Sequence, residues 1–190
     1  MKTKKLSDYD VLLIAKNVIM KQGPQSFTLN HISKKTGLSS PALIKRFQTK
    51  NNILKLALEV SNTEFDQKFL VNHKDGLLGI ISLFDWFSES FKSEKKSEHL
   101  FLLYQDSIHP IFSKIAKKRM KQLKSYIKSK LEIAIDQKEI RHPDDITFLA
   151  SNIEALLHGL AIQNIFADSK DIHIDFVRSF EEFIKPLRKA

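Results

Sequence analysis

Apolar residues recur at helical spacing along almost the whole chain. Val11, Ile14, Ala15, Val18 and Ile19 repeat at i, i+3 and i+4, the signature of one buried helix face. Ser7 or Asp8 is placed to cap that helix, which runs to about Lys21, and Gly23-Pro24 ends it. Thr28 then opens a second, shorter helix, its hydroxyl placed to take an orphan backbone N–H. Leu29 and Ile32 point inward, and Lys34 and Lys35 sit at the C-terminal end, where the dipole is negative. Gly37 is placed to end it in a left-handed conformation. Ser39 or Ser40 caps a third helix with Pro41 in its first turn, where the missing N–H is harmless. This helix covers Ala42 to about Phe47, with Leu43 and Phe47 as its apolar side. Thr49 caps a fourth that reaches about Val71 and turns Ile53, Leu54, Leu56, Ala57, Val60 and Phe65 inward.

From Asp75 the pattern is helix after helix. Asp75–Phe91 carries Leu77, Leu78, Ile81, Phe84, Trp86, Phe87 and Phe91, and Ser97–Ser107 makes a short helix. Pro110 opens a long helix ending near Lys138, with an apolar stripe of Ala116, Met120, Leu123, Ile127, Leu131 and Ala134. Its outer stripe, Lys114, Lys117, Lys118, Lys121, Lys124 and Lys128, reads as a solvated face. After a turn at 139–144, residues 145–167 are apolar nearly all round: Phe148, Leu149, Ile153, Leu156, Leu157, Leu160, Ile162, Ile165 and Phe166. Such a helix is expected to be buried on every side. Ser151, Ala155 and Gly159 form a small-residue stripe on it that would let another helix approach closely. The last helix, about 174–188, gathers Phe176, Val177, Phe180, Phe183, Ile184 and Leu187 on one face. No strand alternation and no internal repeat is visible. The expected fold is all-α, about nine helices: an N-terminal three-helix unit over 1–52 and a C-terminal helical bundle over 53–190.

Composition agrees with this pattern. An apolar fraction of 42% supplies a packed core, and 5 Gly and 5 Pro argue against a loop-rich or all-β chain. With 0 Cys there is no disulfide framework and no Cys-ligated metal. The longest charge-free run, Ala155–Ala167, falls short of the roughly 18 apolar residues of a membrane helix. Asp8, Asp10 and Lys16 interrupt any signal-peptide core behind the basic start. The expectation is a cytoplasmic protein without a membrane segment.

Charge changes the picture more. Residues 1–60 hold 11 Lys/Arg against 3 Asp/Glu, whereas residues 61–190 hold 20 against 19. Almost all of the net +9 therefore sits on the segment with the two short helices, an electrostatic footprint for a polyanion. Helix, Gly-containing turn, short helix is the helix-turn-helix plan, whose second helix enters the DNA major groove. The exposed positions of that helix are Ser39, Ser40, Pro41, Ala42, Ile44 and Lys45. Lys45 can reach guanine O6 or N7, while Ala42 and Ile44 offer only apolar contacts such as thymine methyls. Thr28 opens a helix whose free N–H groups and dipole favour a phosphate.

The stretch Thr28 to Lys50, TLNHISKKTGLSSPALIKRFQTK, resembles the tetracycline-repressor (TetR/AcrR) family of bacterial regulators. The family pattern is close to Thr-Val-x-x-Ile-Ala-x-x-Ala-Gly-Val-Ser-x-x-Thr-Leu-Tyr-x-Tyr-Phe-x-Ser-Lys-x-x-Leu. Thr28, Ile32, Gly37, Ser39, Leu43, Phe47, Lys50 and Leu54 stand where it wants them, and Leu38 and Thr49 are conservative replacements. Ile44 occupies a usual Tyr position, Arg46 a usual Tyr or His position, and Ala42, Pro41 and Ser33 replace Thr, Gly and Ala. The resemblance implies that Lys50 clamps the DNA backbone and that Arg46 takes a phosphate-contact position.

The resemblance further implies a homodimeric, sequence-specific regulator, a repressor released by a small effector. Ser151, Ala155, Gly159, Phe176, Phe180 and Phe183 are the expected dimer-interface residues, in a four-helix bundle of the last two helices of each chain. A two-fold dimer would read a palindromic operator in double-stranded DNA. Phe84, Trp86, Phe87, Phe91, Phe101, Tyr104 and Phe112 crowd a short span, most simply as core; the family commonly encloses an effector cavity there. With Gln105, His109 and His158 as polar candidates and no acidic cluster, that cavity would suit a mainly apolar ligand. The alternative classes are a helical enzyme and a basic scaffold protein. No Gly-rich phosphate loop and no nucleophile elbow is present. Glu139–His142 spells one Glu-x-x-His where a di-iron bundle needs two. No catalytic activity, cofactor or metal is expected.

Overall fold

The computed structural model describes residues 6–23, 26–70, 74–91, 110–166 and 175–189. Among them are α1 (Asp8–Gln22), α2 (Leu29–Thr36), α3 (Ser40–Phe47), α4 (Lys50–Leu70), α5 (Gly76–Phe91), α6 (Pro110–Asp136), α7 (Ile146–Phe166) and α8 (Phe176–Ile184). A 3-10 turn, Lys185–Leu187, follows α8, and the described β pairing is an isolated bridge between Ile140 and Arg188. The fold is all-α. The helix expected over Ser97–Ser107 lies outside the described residues.

The chain forms two compact units, residues 1–67 with 101–117, and residues 68–100 with 118–190. In the first, each helix boundary has a local cause. Ser7 Oγ accepts the Asp10 N–H at 3.1 Å while the Asp10 carboxylate accepts the Ser7 N–H at 3.0 Å, a reciprocal cap on α1. Gly23, at φ 79°, ends α1 and donates its N–H to the Ile19 carbonyl at 2.8 Å. Thr49 Oγ1 accepts the Asn52 N–H at 3.0 Å and starts α4. The core of this unit is Val11, Ala15, Val18 and Ile19 of α1 against Phe27, Ile32, Leu43 and Phe47. It also takes in Ile53, Leu54, Ala57 and Leu58 of α4, beyond the division expected at residue 52, and Ile115. Each large side chain buried there contributes about 1.5–3 kcal/mol.

The second unit packs α5 against α7 and α8. Leu77, Ile80, Leu83 and Phe84 are the buried positions of α5, and Phe176, Phe180 and Ile184 those of α8. The rings of Phe84 and Phe180 lie 4.9 Å apart. Phe176 and Phe180, expected at a dimer interface, are fully buried within one chain. Several apolar positions are exposed within one chain: Leu78 at 57%, Phe148 at 64%, and Met120 and Ile162 at 43% each. The apolar α7 is therefore not buried on every side within one chain. The last helix stops at Ile184, earlier than expected, because Pro186 lacks an N–H and its ring crowds the preceding turn.

Polar groups brought from far along the chain hold the start of α5. Leu77 donates its N–H to Glu139 Oε2 at 2.7 Å, satisfying an orphan donor of the first turn. Lys130, although buried, reaches Asp75 Oδ1 at 2.9 Å and sits 5.5 Å above the Tyr126 ring. The Tyr126 hydroxyl donates to the Gly79 carbonyl at 3.2 Å. Burial, and secondarily the charge of Asp75, pushes the Tyr126 hydroxyl above the ordinary tyrosine range. At the other end, Arg141 N–H donates to the Leu187 carbonyl at 2.8 Å, tying the 139–144 turn to the tail after α8.

Gly76 is the weak point of that arrangement. Its φ is 57°, and a Cβ placed there would run into the Glu139 carboxylate and come within 2.9 Å of Gln137 Oε1. Gly76→Ala is expected to destabilise the protein by roughly 1–3 kcal/mol, read as a lower urea midpoint. An unchanged midpoint would mean that the Glu139 cap yields without cost.

Candidate nucleic-acid interface

The two short helices and their turn are held by side chains that face each other across the turn. Gly37 adopts φ 72° and ψ 3° and closes α2 with an N–H to the Ser33 carbonyl at 2.9 Å. Thr36 Oγ1 donates to the Ile32 carbonyl at 2.9 Å and accepts the Leu38 N–H at 3.2 Å. Ser39 Oγ accepts the Ala42 N–H at 3.3 Å and caps α3. Ser33 and Ser40 place their hydroxyls 3.3 Å apart, and Ser40 Oγ also donates to Asn30 Oδ1 at 3.5 Å. The C-terminal end of α3 is closed by Gln48 at φ 69°, whose N–H reaches the Ile44 carbonyl at 2.7 Å. Asn52 Nδ2 donates to the Phe47 carbonyl at 3.0 Å.

With Leu43 and Phe47 buried, α3 turns Pro41, Ile44 and Lys45 to solvent, joined at its ends by Ser39 and Gln48. Ala42 is half-buried on the flank. Lys34 and Lys35 are exposed at the end of α2. The result is a cationic face carrying apolar Ile44, 37% exposed, beside Lys45. Thr28 is exposed at the N-cap of α2, and the bond closing that cap runs from its backbone N–H to His31 Nδ1 at 3.3 Å. Lys50 opens α4 half-buried, its ammonium 5.7 Å above the Phe27 ring centroid.

Two expected contact residues are engaged inside the protein. Ser40 is half-buried and bonded to Ser33 and Asn30. Arg46 is bonded to Asp8 and to the Leu6 carbonyl. Residues that the sequence did not single out are His31, Asn30, Gln48 and Asn52. The signals for them were thin: a His three residues after a cap, and polar residues flanking the turn.

Of the residues expected around an effector, Phe101, Tyr104, Gln105 and His109 lie outside the described residues, as do the side chains of Phe91 and Phe112. Phe84 is fully buried against Phe180, and Trp86 meets Phe87 edge-on at 5.1 Å. A surface cleft of about 440 Å³ is lined by His142, Asp144, Phe148, Asn152 and Leu187, among others, and by none of the expected effector residues. Glu139 and His142, weighed as a metal element, instead cap α5 and contact the Pro143 carbonyl, respectively. Of the expected interface residues, Ala155 is exposed, Ser151 and Gly159 are half-buried, and Phe183 is 38% exposed. A Cβ added at Gly159 would meet nothing within 4 Å.

No family model matches the sequence, and no curated protein matches it. Solved structures do match in fold. A TetR transcription regulator from Haloarcula marismortui superposes with a TM-score of 0.80 at 14% identity, over 94% of this chain and 96% of that one. A TetR-family regulator from Cytophaga hutchinsonii gives 0.78 at 16% identity, over 98% and 100%. A transcriptional regulator from Saccharomonospora viridis, in complex with choline, gives 0.77 at 18% identity, over 95% and 96%. The chain therefore has the fold of these regulators over nearly all of its length.

The polar groups of α7 make stability pH-dependent in the second unit. Glu154 is buried with Lys124 Nζ 3.7 Å away. Burial raises its carboxyl above the ordinary 4.5, and Lys124 only partly offsets this. Burial lowers His158 below 6.5; a bond to the Glu154 carbonyl opposes the shift and Arg119 adds to it. The folded state thus holds the Glu154 proton more tightly than the unfolded chain, so stability falls as pH rises from 4.5 through the raised value. The unfolded chain protonates His158 first, so stability falls as pH drops below 6.5. Thermal melts across these windows should show Glu154→Gln removing the first slope and His158→Gln the second. Variants with the wild-type slopes would mean other groups set them.

Proposed function

We propose that this chain is a DNA-binding transcriptional regulator of the TetR type, a dimer that represses by occupying a palindromic operator. The observation that carries the proposal is the outer face of α3. A two-turn helix, buried through Leu43 and Phe47, presents Pro41, Ile44 and Lys45 outward. Those side chains suit a major groove: an ammonium for guanine and an apolar surface for thymine methyls. Thr28 and Lys50, each at a helix start, supply phosphate contacts. The whole-length likeness to solved TetR regulators supports the same reading.

The dimer reading rests on α7 and α8. Phe148, Ala155 and Ile162 are exposed at intervals of two turns on one charge-free stripe, with Ser151 and Gly159 beside it. Phe183 is exposed on α8. An apolar stripe of this kind on a water-soluble surface marks an association face. Release of DNA by a small, mainly apolar effector completes the proposal. The aromatic crowding of α5 motivates the effector's apolar character; a similar fold solved in complex with choline, a cation, supports only that such a fold can hold a small molecule. Such an effector must favour the DNA-incompetent arrangement, since only differential affinity shifts a two-state equilibrium.

Selection of duplexes from a random pool by the full-length protein tests the function, with an enriched palindrome expected; failure to enrich any sequence refutes it. On the enriched duplex, Lys50→Ala should weaken binding uniformly and flatten the salt slope by about one unit. Lys45→Ala should cost roughly 1–3 kcal/mol of discrimination at one base pair; an equal loss on every duplex would make Lys45 a phosphate contact instead.

Ala155→Glu should yield monomers in sedimentation and abolish tight DNA binding. A wild type that is monomeric at micromolar concentration removes the dimer.

A further inference from the structure

The two cations of α3, Lys45 and Arg46, are adjacent in sequence and opposite in circumstance. Lys45 is exposed. Arg46 is held: its Nε donates to Asp8 Oδ1 at 2.8 Å, Nη2 donates to the same oxygen, and Nη2 donates to the Leu6 carbonyl at 3.1 Å. Its guanidinium lies 5.6 Å over the Phe47 ring centroid. The Arg46 side chain is 25% exposed, whereas that of Asp8 is 68% exposed. Asp8 opens α1 and Leu6 lies just before its cap, about forty residues earlier in the chain.

We propose that Arg46 is a positioning residue. Together with Asp8 it latches the C-terminal turn of α3 to the start of α1 and sets the direction of the outer face of α3; it does not bind phosphate. This inference rests on the DNA-binding reading of that face. The N-terminal end of α3 is pinned by the Ser39 cap and by Ser40 against Ser33 and Asn30. Among the described residues, the C-terminal end is held by the burial of Phe47, by bonds from Asn52 Nδ2 and the Thr49 N–H to the Phe47 carbonyl, by the Gln48 N–H to the Ile44 carbonyl, and by this latch. A helix of eight residues does not hold itself, so its direction depends on such ties.

Charge favours the same conclusion. Within the latch the guanidinium and carboxylate cancel, whereas Lys45 and Lys50 keep their net charge. A guanidinium that swung out to a phosphate would abandon Asp8 as a bare carboxylate beside a polyanion. The planar fork also explains why arginine fits: it serves Asp8 and the Leu6 carbonyl together, which a lysine ammonium does with poorer geometry. A partly exposed pair adds little to global stability, so variants at these positions remain folded.

The test uses the full-length protein, the duplex enriched by the wild type, and Asp8→Asn, Arg46→Ala, their double variant and Arg46→Lys. Affinity should fall about fivefold in each single variant, the scale of one partly exposed charge pair. The double variant should lose no more than either single one. The salt slope should stay at the wild-type value, and Arg46→Lys should recover part of the loss. In the free protein, amide exchange over residues 43–48 should quicken in Asp8→Asn and Arg46→Ala alike. Tighter binding by Asp8→Asn, with a slope flattened by about one unit in Arg46→Ala, would make Arg46 a phosphate contact and overturn the latch. Unchanged affinity and unchanged exchange would reduce it to a surface ion pair, overturning it equally. A wild type that enriches no duplex removes the DNA reading alone, and the exchange measurement still decides whether Asp8 and Arg46 hold α3.

Discussion

The burial of Leu43 and Phe47 governs everything the first unit shows to solvent. An isolated helix of eight residues is not stable in water. α3 exists because two side chains one turn apart drop into a core shared with Phe27, Ile32 and the inner face of α1. Once those positions are inside, helical geometry leaves no choice for the rest: Pro41, Ile44 and Lys45 must face out. A residue swap on the outer face changes chemistry and leaves the fold alone. A swap at Leu43 or Phe47 changes the fold and takes the outer face with it. Surface chemistry and stability are thus carried by different sides of the same two turns.

In the second unit the corresponding constraint is polar. The start of α5 is capped by the Glu139 carboxylate, which arrives 62 residues later in sequence. Beside it the buried Lys130 crosses Gly79 and meets Asp75 at the surface. A buried ammonium is tolerable only when paired, and here the stem packs on Gly79 while the head reaches a carboxylate near water. These contacts join α5 to α6 and to the turn after it through polar side chains. The glycines of this helix are where they are because neighbours need the room.

Much of this was legible in the chain. Caps and stops are local chemistry: Ser7, Ser39, Thr49, Gly23 and Gly37 were readable because each acts within four residues of its own position. Periodicity named the core of the first unit correctly, since one face of each helix is apolar and the other is not. It is silent where a helix is apolar on more than one face. For α7 the pattern cannot say which side is interior, and Phe148 and Ile162 proved exposed while Leu157 and Ala161 are buried. For Phe176 and Phe180 the strong apolar face predicts burial, which one chain already provides, but not whether a second chain adds to it. Tertiary partners were invisible altogether. Nothing local to Arg46 announces Asp8, and nothing local to Leu77 announces Glu139.

The departures of the helix-turn-helix stretch from the pattern it resembles follow from these partners. Ser33, in place of the usual Ala, puts a hydroxyl opposite Ser40 and gives the turn a polar tie that alanine cannot make. Ile44, in place of a Tyr, leaves an apolar side chain on the outer face, with no hydroxyl to offer a base or phosphate. Arg46, in place of a Tyr or His, turns back to Asp8 and the Leu6 carbonyl. The first and third substitutions stiffen the position of α3, and the second strips a polar contact from it. An outer face with one ammonium and otherwise short or apolar groups has few ways to adapt to a wrong sequence by rotating side chains. On the proposed DNA-binding reading, its discrimination depends on how firmly the helix is aimed. The substitutions that aim it and the one that simplifies it therefore belong together, and neither would be useful without the other.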